Sequence, residues 1–147
     1  MKSFKAIIES PKGDDRRRHF DKKKNRVIDL EPLKDVIPIN NGITPVSYGF
    51  IKNTRCEADG DEIDVLLVSH NKLKIGEEVE IYPIALILRA DGDDKIVAVN
   101  ESTKRKYKSW DDLPNKDLIE KFFSYHYKFL SIEDSKKAYQ YISEHKI

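Results

Sequence analysis

Short apolar segments separated by turn residues extend from the start of the chain to residue 99, and this pattern constrains the fold most strongly. Strand-like runs occupy residues 4–9, 27–30, 33–37, 65–68, 78–88 and 96–99. Helical spacing follows, with Leu118, Phe122, His126 and Phe129 predicted on one buried stripe. Ser131 then resembles the start of a capping box for a last helix over 133–144. Strands followed by helices predict a mainly β domain with helices, of the α+β class.

Length and composition predict one soluble domain over residues 1–147. A chain of 147 residues can bury a substantial core, and 36% charged residues indicate a well-hydrated surface. The single cysteine, Cys56, excludes an internal disulfide and favours a reducing compartment. The first residues lead into no long apolar run, so neither a signal peptide nor a membrane span is expected. We therefore expect a cytoplasmic protein without a membrane partner.

The net charge of +1 conceals two segregated regions. Residues 1–30 contain ten Lys and Arg against five acids, whereas residues 57–64 contain five acids and no base. Much of the basic run is also typical of a solvated hairpin edge, because charged residues protect exposed strands from pairing. Phe20 is the aromatic residue within that run, whereas oligonucleotide sites place several aromatic side chains between bases. Nucleic acid is therefore not an expected partner.

The acidic run Asp59-Gly60-Asp61-Glu62-Ile63-Asp64 leads directly into the apolar strand at 65–68. Carboxylates this close repel one another unless a cation lies among them. Oxygen ligands without His or Cys favour Mg²⁺, Mn²⁺ or Ca²⁺ over zinc. An Asp-Gly-Asp sequence alone is more often a solvated turn. The spacing also excludes an EF-hand, because Ile63 and Asp64 occupy positions that need an oxygen ligand and a glycine.

A resemblance to a known family strengthens the metal interpretation. Tyr48-Gly49-Phe50-Ile51, then Asn53-Thr54, and then the acidic run through Val65 resemble the signature of soluble family I inorganic pyrophosphatases. That signature is Asp-x-Asp-(Pro/Glu)-apolar-Asp-apolar, a little after Tyr-Gly-Phe-Ile. The resemblance extends over nearly the whole chain. It implies a five-stranded OB-like β-barrel with two C-terminal helices packed outside, and a homo-oligomer.

The resemblance also implies an activity and a set of site residues. The activity is Mg²⁺-dependent hydrolysis of pyrophosphate, with Mn²⁺ as an alternative cation. Asp59 and Asp61 would act on the attacking water, Asp61 as the base, and Tyr48 would donate to a phosphate or to the acids. The implied metal ligands are Asp59, Asp61, Asp64, Asp91 and Asp93, with Glu9 acting through water. The implied phosphate ligands are Arg17, Lys95, Tyr127 and Lys128, with Tyr127 and Lys128 on the first helix.

Four positions depart from the family pattern. His19 stands where the family has a glutamate, Val36 where it has a phosphate-binding arginine, and Thr44 where it has an active-site tyrosine. Arg17 also stands where lysine is usual. These changes leave a second hypothesis open, in which the same metal site acts on another phosphoanhydride or a phosphomonoester. A binding module without catalysis is a third hypothesis, and it does not account for so many acids in one place.

Overall fold

The structure is a computed structural model that describes residues 2–147, and β-strands are its main regular elements. The strands are β1 (Phe4–Ser10), β2 (Arg16–Asp21), β3 (Arg26–Pro32), β4 (Ser47–Ile51), β5 (Asp64–Val68), β6 (Glu78–Arg89), β7 (Lys95–Val99) and β8 (Phe129–Glu133). The α-helices are α1 (Lys116–Phe123) and α2 (Ser135–Glu144). The strands predicted at 4–9, 27–30, 65–68, 78–88 and 96–99 are confirmed to within two residues.

Five of the strands close into a ring, as expected for an OB-like barrel. The neighbouring strands follow the order β1-β4-β5-β7-β6, and β1 also pairs with β6, with Phe4 opposite Ile81. The β5–β7 pair is parallel, and Asp64 lies opposite Lys95 in its register. β8 extends the sheet beyond β6, and β2 and β3 form a separate hairpin. The predicted five-stranded barrel is therefore confirmed.

Alternate residues of the barrel strands belong to two apolar clusters, as the two-residue period of a strand requires. Val65 and Leu67 share one cluster with Ala138 and Ile142 of α2. Leu66, Val97 and Val99 belong to the other cluster, which includes Ile119, Phe122 and Phe123 of α1. Each helix therefore packs against the sheet through its own apolar stripe and leaves the strand ends accessible.

The first helix is shorter than predicted. It ends at Phe123, and Phe129, expected on the helical stripe, lies in β8. His126 is exposed, and its Nε2 lies 2.7 Å from the carbonyl oxygen of Val36. The helix cannot continue because β8 pairs with β6, with Ile132 opposite Ile87. Tyr127 and Lys128 therefore lie in the connection before β8, and the prediction that they lie on a helix was wrong.

The strand predicted at residues 33–37 was wrong, and the last helix begins later than predicted. Residues 33–37, expected as a strand, begin with a 3₁₀ turn at Leu33–Asp35, because the backbone N–H groups of Val36 and Ile37 both donate to the Leu33 carbonyl. The last helix begins at Ser135, two residues later than predicted. Asp134 is its N-cap and accepts a hydrogen bond of 3.1 Å from the backbone N–H of Lys137, so the Ser131 capping box was wrong.

Candidate active site

A cavity of about 330 Å³ opens where β1, the β2–β3 hairpin, the acidic loop before β5 and the starts of β5 and β7 meet. It is the place where most of the predicted site residues come together. Among its lining residues are Glu9, Arg17, Tyr48, Asp59, Asp61, Asp64, Asp93 and Lys95. Residues distant in sequence therefore surround one space that contains both anionic and cationic groups.

Lys95 is a buried cation held between two carboxylates. Its Nζ lies 2.6 Å from an Asp64 oxygen and 3.1 Å from an Asp93 oxygen, and its side chain is 3% exposed. Burial opposes the charge, but the Asp64 and Asp93 carboxylates outweigh it and hold the pKa of Lys95 above its ordinary value. The parallel register of β5 and β7 brings Asp64 and Lys95 together. Lys95 is therefore a fixed positive charge at the cavity.

The acidic loop projects Asp59 and Asp61 beside this cation. Gly60 has φ of +76°, a conformation that suits glycine, and lets the chain turn between the two aspartates. The Asp59 carboxylate accepts a hydrogen bond of 2.9 Å from the backbone N–H of Asp61. Glu62 forms an ion pair of 2.9 Å with Lys22 at the tip of the β2–β3 hairpin. The Lys22 pair connects the loop to the hairpin, and Asp61 remains exposed.

Glu9 is a buried carboxyl at the end of β1, with 4% of the residue exposed. Its Oε2 accepts a hydrogen bond of 2.8 Å from the backbone N–H of Phe20, and His19 Nδ1 lies 3.6 Å away. The pKa of Glu9 is raised from 4.5 to about 7, mainly by burial and also by the charges of nearby acids such as Asp64, although the hydrogen bond from the Phe20 N–H opposes the shift. Glu9 therefore binds a proton near neutral pH when no cation is close.

Tyr48 forms part of the cavity wall and is fixed by its neighbours. Its ring stacks on Phe123 at 5.7 Å between centroids, and Lys95 Nζ lies 5.6 Å from its ring centre. Burial first, and then the Asp64 carboxylate, raise the pKa of Tyr48 well above its ordinary value. The phenol therefore remains a hydrogen-bond donor across the neutral pH range.

Three consecutive arginines of β2 line the cavity, and each is paired with an acid. Arg16 binds Asp29 at 2.8 Å, Arg17 binds Glu31 at 3.1 Å, and Arg18 binds Asp14 at 2.7 Å. The Arg17 side chain is 51% exposed, so its ion pair is weak and its donors are accessible. The hairpin thus supplies positive charge opposite the acidic loop.

Arg89, at the end of β6, lines the cavity and was missed from the sequence. Its Nε and Nη2 lie 3.0 Å and 2.5 Å from the two oxygens of Asp91, and its Nη2 lies 3.7 Å from Asp93. Asp91, predicted as a metal ligand, is not among the residues that line the cavity. The only sequence signal for Arg89 was an arginine directly before an acidic turn.

Comparison with known proteins agrees with this geometry. A family model described as inorganic pyrophosphatase matches residues 6–146. The chain belongs to the inorganic pyrophosphatase family. It is 33% identical over 134 residues to the inorganic pyrophosphatase of Aeropyrum pernix, covering 85% of this chain and 72% of that protein. It is 34% identical over 134 residues to that of Sulfolobus acidocaldarius, covering 85% and 73%.

Solved pyrophosphatase structures share the fold. The crystal structure of the inorganic pyrophosphatase from Neisseria gonorrhoeae is 29% identical, with a TM-score of 0.82 over 96% of this chain and 87% of that one. The structure from Ehrlichia chaffeensis is 27% identical, with a TM-score of 0.85 over 98% and 93%. The family recognised from the acidic run is therefore confirmed over almost the whole chain.

Membership of the pyrophosphatase family implies a divalent metal cofactor, and the donor set of the cavity fits one. Within residues 2–147, ligand atoms of Cys56, Asp59 and Asp93 already lie within 4.8 Å of one another. Burial is the main cause that raises the pKa of the Cys56 thiol, which disfavours the thiolate that soft metals require. The carboxylates of Asp59 and Asp93, with Asp61 nearby on the same loop, are suitable ligands for a hard divalent cation.

Two predicted phosphate ligands lie away from this centre. Tyr127 and Lys128 are exposed and are not among the residues that line the cavity. The Arg89 guanidinium carbon lies 5.5 Å from the centre of the Tyr127 ring, so Tyr127 borders the site through Arg89. Their role in binding phosphate stays a prediction.

None of the helices within residues 2–147 has the length and apolar character needed to cross a membrane.

Proposed function

We propose that this chain hydrolyses inorganic pyrophosphate to two phosphates and uses Mg²⁺ as its divalent cation, with Mn²⁺ as an alternative. The observation that carries the proposal is the cavity itself, because the exposed aspartates Asp59 and Asp61 and the buried cation Lys95 line the same space. A phosphoanhydride has anionic oxygens that need cations, and a reacting water that needs a base. Both kinds of group line this one cavity.

We propose different roles for the acidic side chains, according to their surroundings. We assign Asp59, Asp61, Asp64 and Asp93 to holding the metal, with Glu9 contacting it through water. A bound divalent ion would lower the pKa of a coordinated water and stabilise charge on the leaving phosphate. Asp61 is exposed at the cavity, so we assign it as the base that receives the proton of the attacking water, with Asp59 orienting the same loop.

The cations and the phenol neutralise the substrate. Lys95 is fixed between Asp64 and Asp93 and contributes a positive charge that needs no rearrangement. Arg17 can turn from the exposed Glu31 to a phosphate oxygen, since a guanidinium matches the geometry of phosphate. Tyr48 remains protonated and donates a hydrogen bond. We also assign Tyr127 and Lys128 to phosphate binding, and the Tyr127 ring lies 5.5 Å from the guanidinium carbon of Arg89.

A second candidate substrate class follows from the cavity wall. Val36, where the resembled family has a phosphate-binding arginine, lines the cavity with Leu33, Ile37, Phe122 and Phe123. Thr44 also lines it, but its hydroxyl donates to the Val46 carbonyl at 2.6 Å. An apolar wall suits an organic group better than a second phosphate. Hydrolysis of another phosphoanhydride or a phosphomonoester is therefore the alternative activity.

The proposal extends to the cellular setting and assembly of the enzyme. We propose that it functions as one domain, in the cytoplasm, as a homo-oligomer, and without nucleic-acid or membrane partners. The unpaired Cys56 and the charged surface support a reducing, aqueous compartment. Size-exclusion chromatography with light scattering tests the oligomeric state, and a monomer at micromolar concentration would contradict it.

The activity test is phosphate release from pyrophosphate by the purified protein with Mg²⁺. We expect turnover that EDTA abolishes and that Asp61→Asn lowers by at least about a hundredfold, because a lost base typically costs that much. Asp117→Asn, on the exposed face of α1, is the matched control and should leave turnover unchanged. No release with Mg²⁺ or Mn²⁺ would contradict the proposal, and release from nucleotides or phosphomonoesters instead would favour the second activity.

A further inference from the structure

Arg89 and Lys95 are the most deeply buried cationic side chains that line the cavity. The Arg89 side chain is 13% exposed and that of Lys95 is 3% exposed. The hairpin arginines are more accessible, at 33% for Arg16, 51% for Arg17 and 19% for Arg18. A charged side chain is seldom buried unless it is paired. The partners of Arg89 therefore decide which of its donors are free.

One edge of the Arg89 guanidinium is fully engaged by Asp91. Nε donates to Asp91 Oδ1 at 3.0 Å and Nη2 donates to Asp91 Oδ2 at 2.5 Å. A guanidinium has five N–H donors in a planar fork, so this pairing leaves three of them. Nη1 approaches the Phe123 carbonyl at 3.4 Å, which is a long hydrogen bond. Donors on Nη1 and Nη2 therefore remain for a ligand in the cavity that Arg89 lines.

The Asp91 pair fixes the orientation of that fork. A bidentate carboxylate restricts a long, flexible side chain to one geometry, so less freedom is lost when a ligand binds. The carboxylates of Asp91 and Asp93 also keep the charge stable, since the pKa of Arg89 is raised despite burial. Asp91 itself is not among the residues that line the cavity. Arg89 therefore has a fixed orientation and a stable positive charge, both of which favour binding of an anionic ligand.

The neighbouring wall is otherwise apolar. Val36, Ile37, Phe122 and Phe123 line the cavity, and Arg89 contacts this wall through the Phe123 carbonyl. A phosphoryl group against this wall would meet hydrocarbon unless Arg89 supplied the compensating charge. Burying an anion without such a partner is strongly unfavourable. Arg89 is therefore a cation that contacts this wall directly, and Lys95 lies 5.6 Å from the centre of the Tyr48 ring that stacks on Phe123.

We propose that Arg89 binds a phosphoryl group of the substrate and that Asp91 is the positioning residue that orients it. The proposal rests on the proposed function in taking pyrophosphate or its product as the ligand. It gives Asp91 a role that differs from metal ligation. It also assigns a phosphate contact to β6 in a chain that has Val36 where the resembled family carries its arginine.

The test measures binding of inorganic phosphate by calorimetry with Mg²⁺ present, together with KM and kcat for pyrophosphate. Arg89→Met should weaken phosphate binding about ten- to a hundredfold, the range for a lost charge-assisted hydrogen bond. Arg89→Lys keeps the charge but loses the fork, and should weaken binding several-fold. Arg105→Met, at an exposed arginine away from the cavity, is the matched control and should bind phosphate as the unaltered protein does.

A second variant separates ligand binding from simple neutralisation of Asp91. If Arg89 served only to neutralise that acid, the double variant Arg89→Met with Asp91→Asn would recover the original phosphate affinity. We expect it to remain weak, and recovery would overturn the proposal. Because it lacks the unpaired acid, the double variant also gives a result if Arg89→Met alone fails to fold.

Metal affinity and turnover complete the test. Asp91→Asn should weaken phosphate binding several-fold and leave Mg²⁺ affinity in the absence of phosphate unchanged. A fall in that Mg²⁺ affinity would make Asp91 a metal ligand and overturn its positioning role. If the unaltered protein released no phosphate from pyrophosphate, the proposed function would fail. The phosphate-binding series would still decide the role of Arg89.

Discussion

The buried carboxyl of Glu9 gives a quantitative prediction about stability in the absence of metal. Replacing it by glutamine removes the titration and keeps an oxygen that can accept the hydrogen bond from the Phe20 N–H. The side chain keeps nearly the same size, so the packing around this residue, which is 4% exposed, should change little. The variant therefore isolates the cost of holding a carboxylate at this position.

The magnitude follows from the pKa of Glu9, which is about 7 in the folded protein against an ordinary value of 4.5. The folded state thus binds this proton about 300-fold more tightly than the unfolded chain, which corresponds to about 3 kcal/mol. Because the folded pKa is raised, this contribution to stability is fully present below pH 4.5 and is lost as the pH rises through about 7. The Glu9→Gln variant has no titrating group at this position, so its stability does not change in this way with pH.

Urea unfolding in EDTA, followed by fluorescence of the single tryptophan Trp110, measures the difference. The free energy of unfolding of Glu9→Gln minus that of the unaltered protein should rise by about 3 kcal/mol between about pH 4 and pH 8. Glu144→Gln, at an exposed position near the end of α2, should give a difference that does not vary with pH. A Glu9→Gln difference independent of pH would refute the assignment of a protonated, buried Glu9.

Three further substitutions test the fold. Gly49→Ala should lower the free energy of unfolding by at least about 3 kcal/mol, because the added Cβ would lie 2.0 Å from the Ile7 carbonyl oxygen. An unchanged urea midpoint would contradict the β1–β4 register. Phe122→Ala should cost about 3–5 kcal/mol in urea unfolding, since this residue is 1% exposed, and a loss below about 1 kcal/mol would count against its burial. Asp134→Ala should cost about 1 kcal/mol by removing the cap hydrogen bond to Lys137, and unchanged stability by thermal circular dichroism would exclude that cap.

Residues close together in the sequence made much of the site predictable. The acidic run fixes Asp59, Asp61 and Asp64 within six residues, so their proximity follows from covalent connection. Lys95 was found through resemblance, and the parallel β5–β7 register explains why it meets Asp64. Apolar runs and turns marked most of the barrel strands, whereas the barrel itself was implied by the family resemblance.

Some features of the structure could not be predicted from the local sequence pattern. Arg89 ends a long apolar strand and has no local feature that distinguishes a cation facing a cavity from one facing solvent. Phe129 fits a helical period, but pairing of its segment with β6 places it in a strand. The 3₁₀ turn at Leu33–Asp35 depends on backbone hydrogen bonds that the apolar pattern of 33–37 does not specify. The position of Phe129 thus depends on residues far away in the chain, whereas the 3₁₀ turn forms through local hydrogen bonds.

The double pairing of β1 has a consequence for folding during synthesis. Phe4 on β1 pairs with Ile81 on β6, and Ile7 pairs with Phe50 on β4. The ribosome therefore releases β1 well before its second partner exists, and the ring cannot close until β6 has left the exit tunnel. Non-local pairings of this kind slow folding because the intervening loop must be closed first. Nascent chains stalled before residue 81 should therefore remain sensitive to protease, because β1 cannot yet pair with β6.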